Sequence, residues 1–198
     1  MDAKVTRDYF NELASGWDEN IDSESLHIRR ILSMMTLDRA DTILDLGCGT
    51  GILFPVLESL VSKSASIYAM DYAKCMVDLA SRNRANNFRF VCGDAQDLPF
   101  CDNTFCRIIA FQVFPHITDQ KHALNECRRV LKQGGEMCIF HVHSSHEINA
   151  FHASLSGPVR HHTLPEGHTM KGWMEETGLT VMSAIDHPGE YLMHAIKK

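Results

Sequence analysis

With 198 residues and a formal charge of -6 at a pI near 6.0, the chain suits one domain with a substantial core. It lacks the Lys and Arg blocks that broad binding to nucleic acid or anionic membrane requires. There is no run of about 18 apolar residues for a membrane span, and Met1-Asp2-Ala3-Lys4 opens without the apolar stretch of a signal peptide, which leads to the expectation of a cytoplasmic protein.

In chain order, residues 3–38 read as two helices that form a cap ahead of the first strand. From Thr42 onward short apolar runs alternate with longer amphipathic ones, the pattern of βα units around a parallel sheet. The spacing predicts strands at 42–46, 66–70, 88–92, 106–112 and 136–143. Helices are predicted at 52–62, 73–84 and 119–132, the last with Asp119 near its start and Gly134-Gly135 after its end. Residues 144–168 interrupt this alternation before a helix at about 169–177. Two apolar runs, 179–185 and 191–196, flank His187-Pro188-Gly189 and predict an antiparallel hairpin that finishes the sheet. The expectation is a single α/β domain over 1–198, with a mostly parallel seven-stranded sheet and an antiparallel last strand.

The segment Ile43-Leu44-Asp45-Leu46-Gly47-Cys48-Gly49-Thr50-Gly51 reads as a buried strand entering a glycine turn, where backbone can approach a ligand closely. A dinucleotide fingerprint would put its third glycine at position 52, which is Ile52, and no Gly-Lys-Ser/Thr phosphate loop is present. Asp45 before the turn would repel a pyrophosphate and receive an ammonium group. The pattern Asp-x-Gly-x-Gly-x-Gly resembles motif I of the class I S-adenosylmethionine (SAM) dependent methyltransferases. A purely structural glycine turn is the competing reading.

Asp45, Asp71 and Asp94 fall at or just past the ends of the first three predicted strands, along one rim. Asp71 lies 20 residues beyond Gly51, where an acid can accept both hydroxyls of a ribose; as a local feature it would equally cap the helix at 73–84. The run Gly93-Asp94-Ala95-Gln96-Asp97-Leu98-Pro99-Phe100, followed by Asn103-Thr104-Phe105, resembles the acidic-loop signature of the ubiquinone/menaquinone-type small-molecule methyltransferases. The stretch 7–18 resembles the short helix that closes over SAM in those enzymes.

The resemblance implies a Rossmann-like doubly wound fold and SAM as cofactor, with S-adenosylhomocysteine as product. It assigns Asp45, Gly47, Gly49 and Gly51 to the methionine part, Asp71 with neighbouring Tyr72 to the ribose side, and Asp94 with Ala95 to the adenine. Phe111 and Gln112 would form the wall beside the sulfonium, and Tyr9 and Trp17 would cover the cofactor's carboxylate end. Helical periodicity alone makes Tyr9, Phe10, Leu13 and Trp17 simply an apolar face. The chain departs from the family pattern at Phe105-Cys106 and at Phe114-Pro115-His116, which leaves the acceptor pocket open.

Histidines 141, 143, 146, 152, 161, 162 and 168 crowd one 28-residue stretch. His143, at the end of the fifth predicted strand and sharing a side with His141, is a candidate general base, as is His116 after the fourth strand. A metal site built on His141, His143 and His146, with His161 or His162, is the rival reading, and ordinary core or surface histidines are a third. Asn149 and Arg160 are candidate polar contacts, and Met34, Met35, Met170 and Met174 are core fillers or pocket lining. Seven cysteines with no Cys-x-x-Cys pair read as small core hydrophobes. The expected partner is a small-molecule acceptor, bound by a monomer or homodimer. Phe111-Gln112-Val113-Phe114 replaces the Asn/Asp-Pro-Pro-aromatic tetrad of nucleic-acid methylases. A SAM-fold protein that binds cofactor or metal without turnover is the alternative.

Overall fold

The computed structural model describes residues 3–20, 26–82 and 85–198. Seven strands form one sheet in the order β3-β2-β1-β4-β5-β7-β6: β1 Thr42–Leu46, β2 Ser66–Asp71, β3 Phe88–Cys92, β4 Phe105–Phe111, β5 Leu131–His141, β6 Leu179–His187 and β7 Glu190–Lys197. β1 to β5 are parallel, and β7 runs antiparallel between β5 and β6. The expected hairpin therefore forms, and its second strand inserts toward the centre of the sheet.

Both faces of the sheet are covered, which is why the strands read as nearly unbroken apolar runs. Leu44 and Leu46 pack with α5 (Gln120–Val130) and α7 (Gly167–Glu176) on one face. Ile43 packs with α2 (Leu26–Leu32), α3 (Phe54–Leu60) and α4 (Lys74–Ala80) on the other. Met35, Met170 and Met174 fill these cores, whereas Met34 is exposed. Of the seven cysteines only Cys48, Cys127 and Cys138 are buried; Cys75 on α4, Cys92 at the end of β3 and Cys101 in the loop before β4 are exposed.

Two expected boundaries move for a physical reason. β4 stops at Phe111 because Gln112 takes a left-handed φ of 54°, which turns the chain out of the sheet. β5 begins directly after α5 and ends at His141, and its register against β4 shifts between Phe105 and Arg107. Gly134, at φ 73°, thus sits in an irregular stretch within β5 and does not end the helix. His143 consequently lies beyond the strand.

The cap comprises α1 (Ala3–Leu13), a 3-10 segment Ala14–Asn20 and α2, with the stretch 21–25 outside the described residues. The segment after β5 contains α6 (Ser145–Ser154) and a 3-10 turn Pro158–His161. A capping box starts α6: Ser144 accepts from the Glu147 backbone, while the Glu147 side chain accepts from the Ser144 N–H. Asp119 caps α5 by accepting from His122 N–H at 2.9 Å.

At the bottom of the sheet, the buried Glu136 joins two buried partners, Arg107 and His194, and the exposed Thr36. Its Oε1 meets Arg107 Nη2 at 2.8 Å and accepts from Thr36 Oγ1 at 3.0 Å, while Oε2 pairs with His194 Nε2 at 2.8 Å. Removing one member of such a network strands the others without water. Glu136→Ala is expected to cost about 3–5 kcal/mol, measured by urea denaturation, with no change in secondary-structure content below the transition.

Candidate active site

The turn after β1 is tied down by backbone. Gly47 N–H and Cys48 N–H both donate to the Met70 carbonyl at the end of β2, at 2.8 and 2.9 Å. Gly49 N–H donates to Asp71 Oδ2 at 2.9 Å, and Asp71 Oδ1 accepts from Ala73 N–H at 2.8 Å. Asp71 thus both supports the entry to α4 and clamps the glycine turn. Burial pushes its carboxyl pKa up, against the backbone hydrogen bonds from Ala73, Gly49 and Tyr72 that lower it.

The three glycines are there for different reasons. A Cβ at Gly47 would lie 2.5 Å from Val113 Cβ, and one at Gly51 would lie 2.4 Å from the Phe54 ring. Only at Gly49 would an added Cβ meet no clash, its nearest neighbour being Trp17 Nε1 at 3.6 Å. Gly51 accordingly does not line the cleft, and its glycine serves packing.

That cleft lies beyond the carboxyl ends of β1, β2 and β4. Gly47, Gly49, Asp71, Tyr72, Asp94, Ala95, Phe111, Gln112 and Trp17, all expected at a cofactor site, line it together with Thr6, Phe10, Gln96 and His116. Residues of the N-terminal cap cover it and leave about 120 Å³. Asp94 is engaged internally: Oδ1 accepts from Gln96 N–H at 2.9 Å and both oxygens contact Gln96 Nε2.

Asp45 differs from its expected place at the rim. It is the fourth residue of β1, paired in register with Ala69 and Ile109, and only 1% exposed. Its Oδ2 is buried with no hydrogen-bond partner. Burial first, and then the Asp71 charge, push its pKa up to about 8.

Tyr9 also moves. It lines a second, larger chamber of about 830 Å³, whose walls include Tyr9, Ile28, Pro115, Ile148, Phe151 and Leu155 with His27, His116, His141, His143 and His152. Phe10, Trp17, Phe111, Gln112 and His116 line both spaces. His116 stands in the 3-10 turn Phe114–His116 with its Nδ1 2.9 Å from His162 Nδ1 and its ring on Phe10 at 4.9 Å between centroids. Burial, and then the neighbouring His152, His162 and His141, hold its pKa well below the usual imidazole range.

His141 is buried, edge-on to Tyr191, with its Nε2 unpaired; burial lowers its pKa to about 3. His143 and His146 are exposed while His141 is not, because the strand ends at His141 and His143 lies in the bend beyond it; His141 and His143 nonetheless both line the chamber. Among the described residues no group of three or more His, Cys, Asp or Glu side chains is arranged to hold a metal ion. Asn149 is used structurally, donating to Leu164 O at 2.9 Å and accepting from Leu164 N–H at 2.7 Å, and Arg160 is exposed. Sequence reasoning gave His152 no individual role and named His162 only as a possible metal ligand. The Ser144-x-x-Glu147 spacing was the available signal, since it starts a helix that carries Ser145, Ile148 and His152 on its buried face.

The family described as "Methyltransferase domain" matches residues 44–139. The ubiquinone/menaquinone biosynthesis C-methyltransferase UbiE of Klebsiella pneumoniae is 28% identical over 211 aligned positions covering 89% of this chain and 83% of that protein. Its counterpart from Hahella chejuensis is also 28% identical, over 86% of this chain and 81% of the relative. A solved SAM-dependent methyltransferase from Aquifex aeolicus has the same fold, with a TM-score of 0.76 at 20% identity over 95% of this chain and 98% of that one. So does the chain crystallised in a complex between the Haloferax volcanii Trm112 methyltransferase activator and a putative methyltransferase, with a TM-score of 0.80 at 20% identity over 95% and 97%. The matched domain and the UbiE relatives support a class I SAM-dependent methyltransferase, and the solved neighbours share its fold. Among such enzymes it resembles the UbiE C-methyltransferases, and SAM is its cofactor. The site fits that group: Asp45 keeps a buried unpaired carboxylate oxygen behind the turn, and Gly49 leaves a surface without Cβ beneath Trp17.

Two predictions follow from this geometry. Gly47→Ala forces a positive φ on a Cβ that collides with Val113 and should cost about 2–4 kcal/mol, against about 1–2 kcal/mol for Gly49→Ala, both read by urea denaturation. Asp45 has a folded pKa above its unfolded value, so the folded chain holds the extra proton and stability declines as pH rises from about 4 to about 8. Without cofactor, melting temperatures of Asp45→Asn should fall less steeply than wild type across that window.

Proposed function

We propose that the enzyme transfers the methyl group of SAM to a small, uncharged acceptor with an apolar body, seated in the histidine-lined chamber. The observation that carries this reading is the wall shared by the two spaces, Phe10, Trp17, Phe111, Gln112 and His116, which leaves an acceptor and a cofactor side by side. When bound, SAM supplies an electrophilic methyl on a sulfonium, and the protein's part is alignment and exclusion of water. The chain would act as one domain, with 144–168 as its acceptor-side segment.

In this reading Asp71 receives the ribose hydroxyls, with Tyr72 beside it, and Asp94 with Ala95 faces the adenine. Asp45 behind the glycine turn attracts the methionine ammonium, and Phe111 and Gln112 flank the sulfonium. Trp17 closes the cleft above Gly49, and Tyr9 belongs to the acceptor side. About 120 Å³ is small against the roughly 300 Å³ or more of ligand pockets, so cofactor entry requires the cap to lift. His116, at the junction and held neutral, orients the acceptor. His143 stands at the exposed rim and is the weaker candidate.

The absence of Asp, Glu, Lys and Arg among the described residues lining the chamber favours an uncharged acceptor, since a buried charge needs a partner. Similarity to the UbiE C-methyltransferases supports a small-molecule substrate. Isothermal titration with S-adenosylhomocysteine tests the cofactor half. Asp71→Asn is expected to weaken binding at least tenfold, the loss of about 1.5 kcal/mol or more from hydrogen bonds to a charged group. Unchanged affinity in a folded variant would overturn the assignment of Asp71. Release of S-adenosylhomocysteine across a panel of neutral and charged acceptors tests the other half, and turnover confined to charged acceptors would overturn it.

A further inference from the structure

One polar group in the chamber wall has a hydrogen position that its surroundings dictate. His152 lies on the buried face of α6, is 7% exposed and lines the chamber. Its Nδ1 is 2.8 Å from the backbone carbonyl oxygen of His162. A carbonyl oxygen can only accept, so Nδ1 carries the hydrogen, and a neutral imidazole with Nδ1–H presents Nε2 as a bare acceptor. The same reasoning does not decide His116, whose Nδ1 faces another imidazole nitrogen. The His152 ring lies 5.1 Å from His116, centroid to centroid, and so beside the junction with the cofactor cleft.

We propose that His152 is a catalytic residue whose Nε2 takes the proton of the acceptor's attacking group, and that this group is the hydroxyl of an uncharged alcohol or phenol. A nitrogen lone pair in a wall without charged side chains among the described residues selects a neutral donor, and a hydroxyl is a neutral donor that needs deprotonation to become a good nucleophile. In the step, the hydroxyl proton moves to His152 Nε2, which becomes imidazolium. The oxygen forms its bond to the methyl carbon, and the methyl–sulfur bond breaks with its electron pair left on sulfur. The positive charge of the sulfonium thereby ends on the imidazole, and a methyl ether is the product. The inference rests on the chamber being the acceptor site.

The test uses 4-tert-butylphenol and its methyl ether 4-tert-butylanisole, titrated calorimetrically into the full chain saturated with S-adenosylhomocysteine. Wild type should bind the phenol about 5–10-fold more tightly than the ether, the worth of one hydrogen bond. His152→Asn keeps an amide N–H near the position of Nδ1 for the His162 carbonyl and lacks the distal nitrogen; it should bind the two probes within about twofold. Nitrogen-15 spectra of labelled histidine, with His152 identified by its absence in the variant, should show Nε2 without a hydrogen. A hydrogen on Nε2, equal binding of both probes to wild type, or a preference that survives in a folded His152→Asn would each overturn the role of His152. Failure of both probes to bind, with S-adenosylhomocysteine still bound, would overturn the acceptor chamber itself and this inference with it.

Discussion

The bond from Gly49 N–H to the Asp71 carboxylate, with the paired donation of Gly47 and Cys48 N–H to the Met70 carbonyl, holds the whole site together. These contacts join the turn after β1 to the end of β2, so the cleft is an extension of the sheet and inherits its rigidity. Asp71 is thereby committed before any ligand arrives: its carboxylate accepts from the backbone of Gly49, Ala73 and Tyr72 while it lines the cleft. The same arrangement crowds a second acid, Asp45, into a site without water, and its raised pKa records what that burial costs. In the function proposed above, a cationic group beyond the turn would relieve that cost.

The chamber proposed for the acceptor has a different chemistry. Imidazoles from four elements, α2, the turn after β4, β5 and α6, converge on one chamber, and those whose protonation is shifted are held neutral by burial and by one another. A wall of neutral nitrogens can accept or donate hydrogen bonds without the desolvation cost of a carboxylate or an ammonium. The His162 segment ties it together, with its ring against His116 and its carbonyl against His152. Packing of α6 over the sheet therefore sets both the shape of the chamber and the hydrogen positions within it.

Much of the fold was legible because α/β units announce themselves through short apolar runs, and β1 to β4 fall within a residue or so of their expected places. The lining of the cleft was legible for a related reason: Gly47, Gly49, Asp71 and Asp94 lie at or just past strand ends, where local pattern is strong. Gly47 and Gly51 show the limit of that reading. Their need for glycine comes from Val113 and Phe54, and those contacts form only once α3 and the turn after β4 are packed. Asp45 reads as a rim acid yet is buried, because neighbouring strands on both sides enclose it.

The sequence by itself determined the class of fold, the place of the cofactor turn and the acids around it, since these depend on periodicity and on residues close together in the chain. Tertiary structure alone decided which histidines meet. His116, His152 and His162 stand 36 and 10 positions apart, and nothing in their spacing relates them. Their meeting depends on where β4 releases the chain at Gln112, where β5 stops at His141 and how α6 settles over the sheet. Hydrogen bonds between such distant segments follow from packing, and packing is a property of the whole chain.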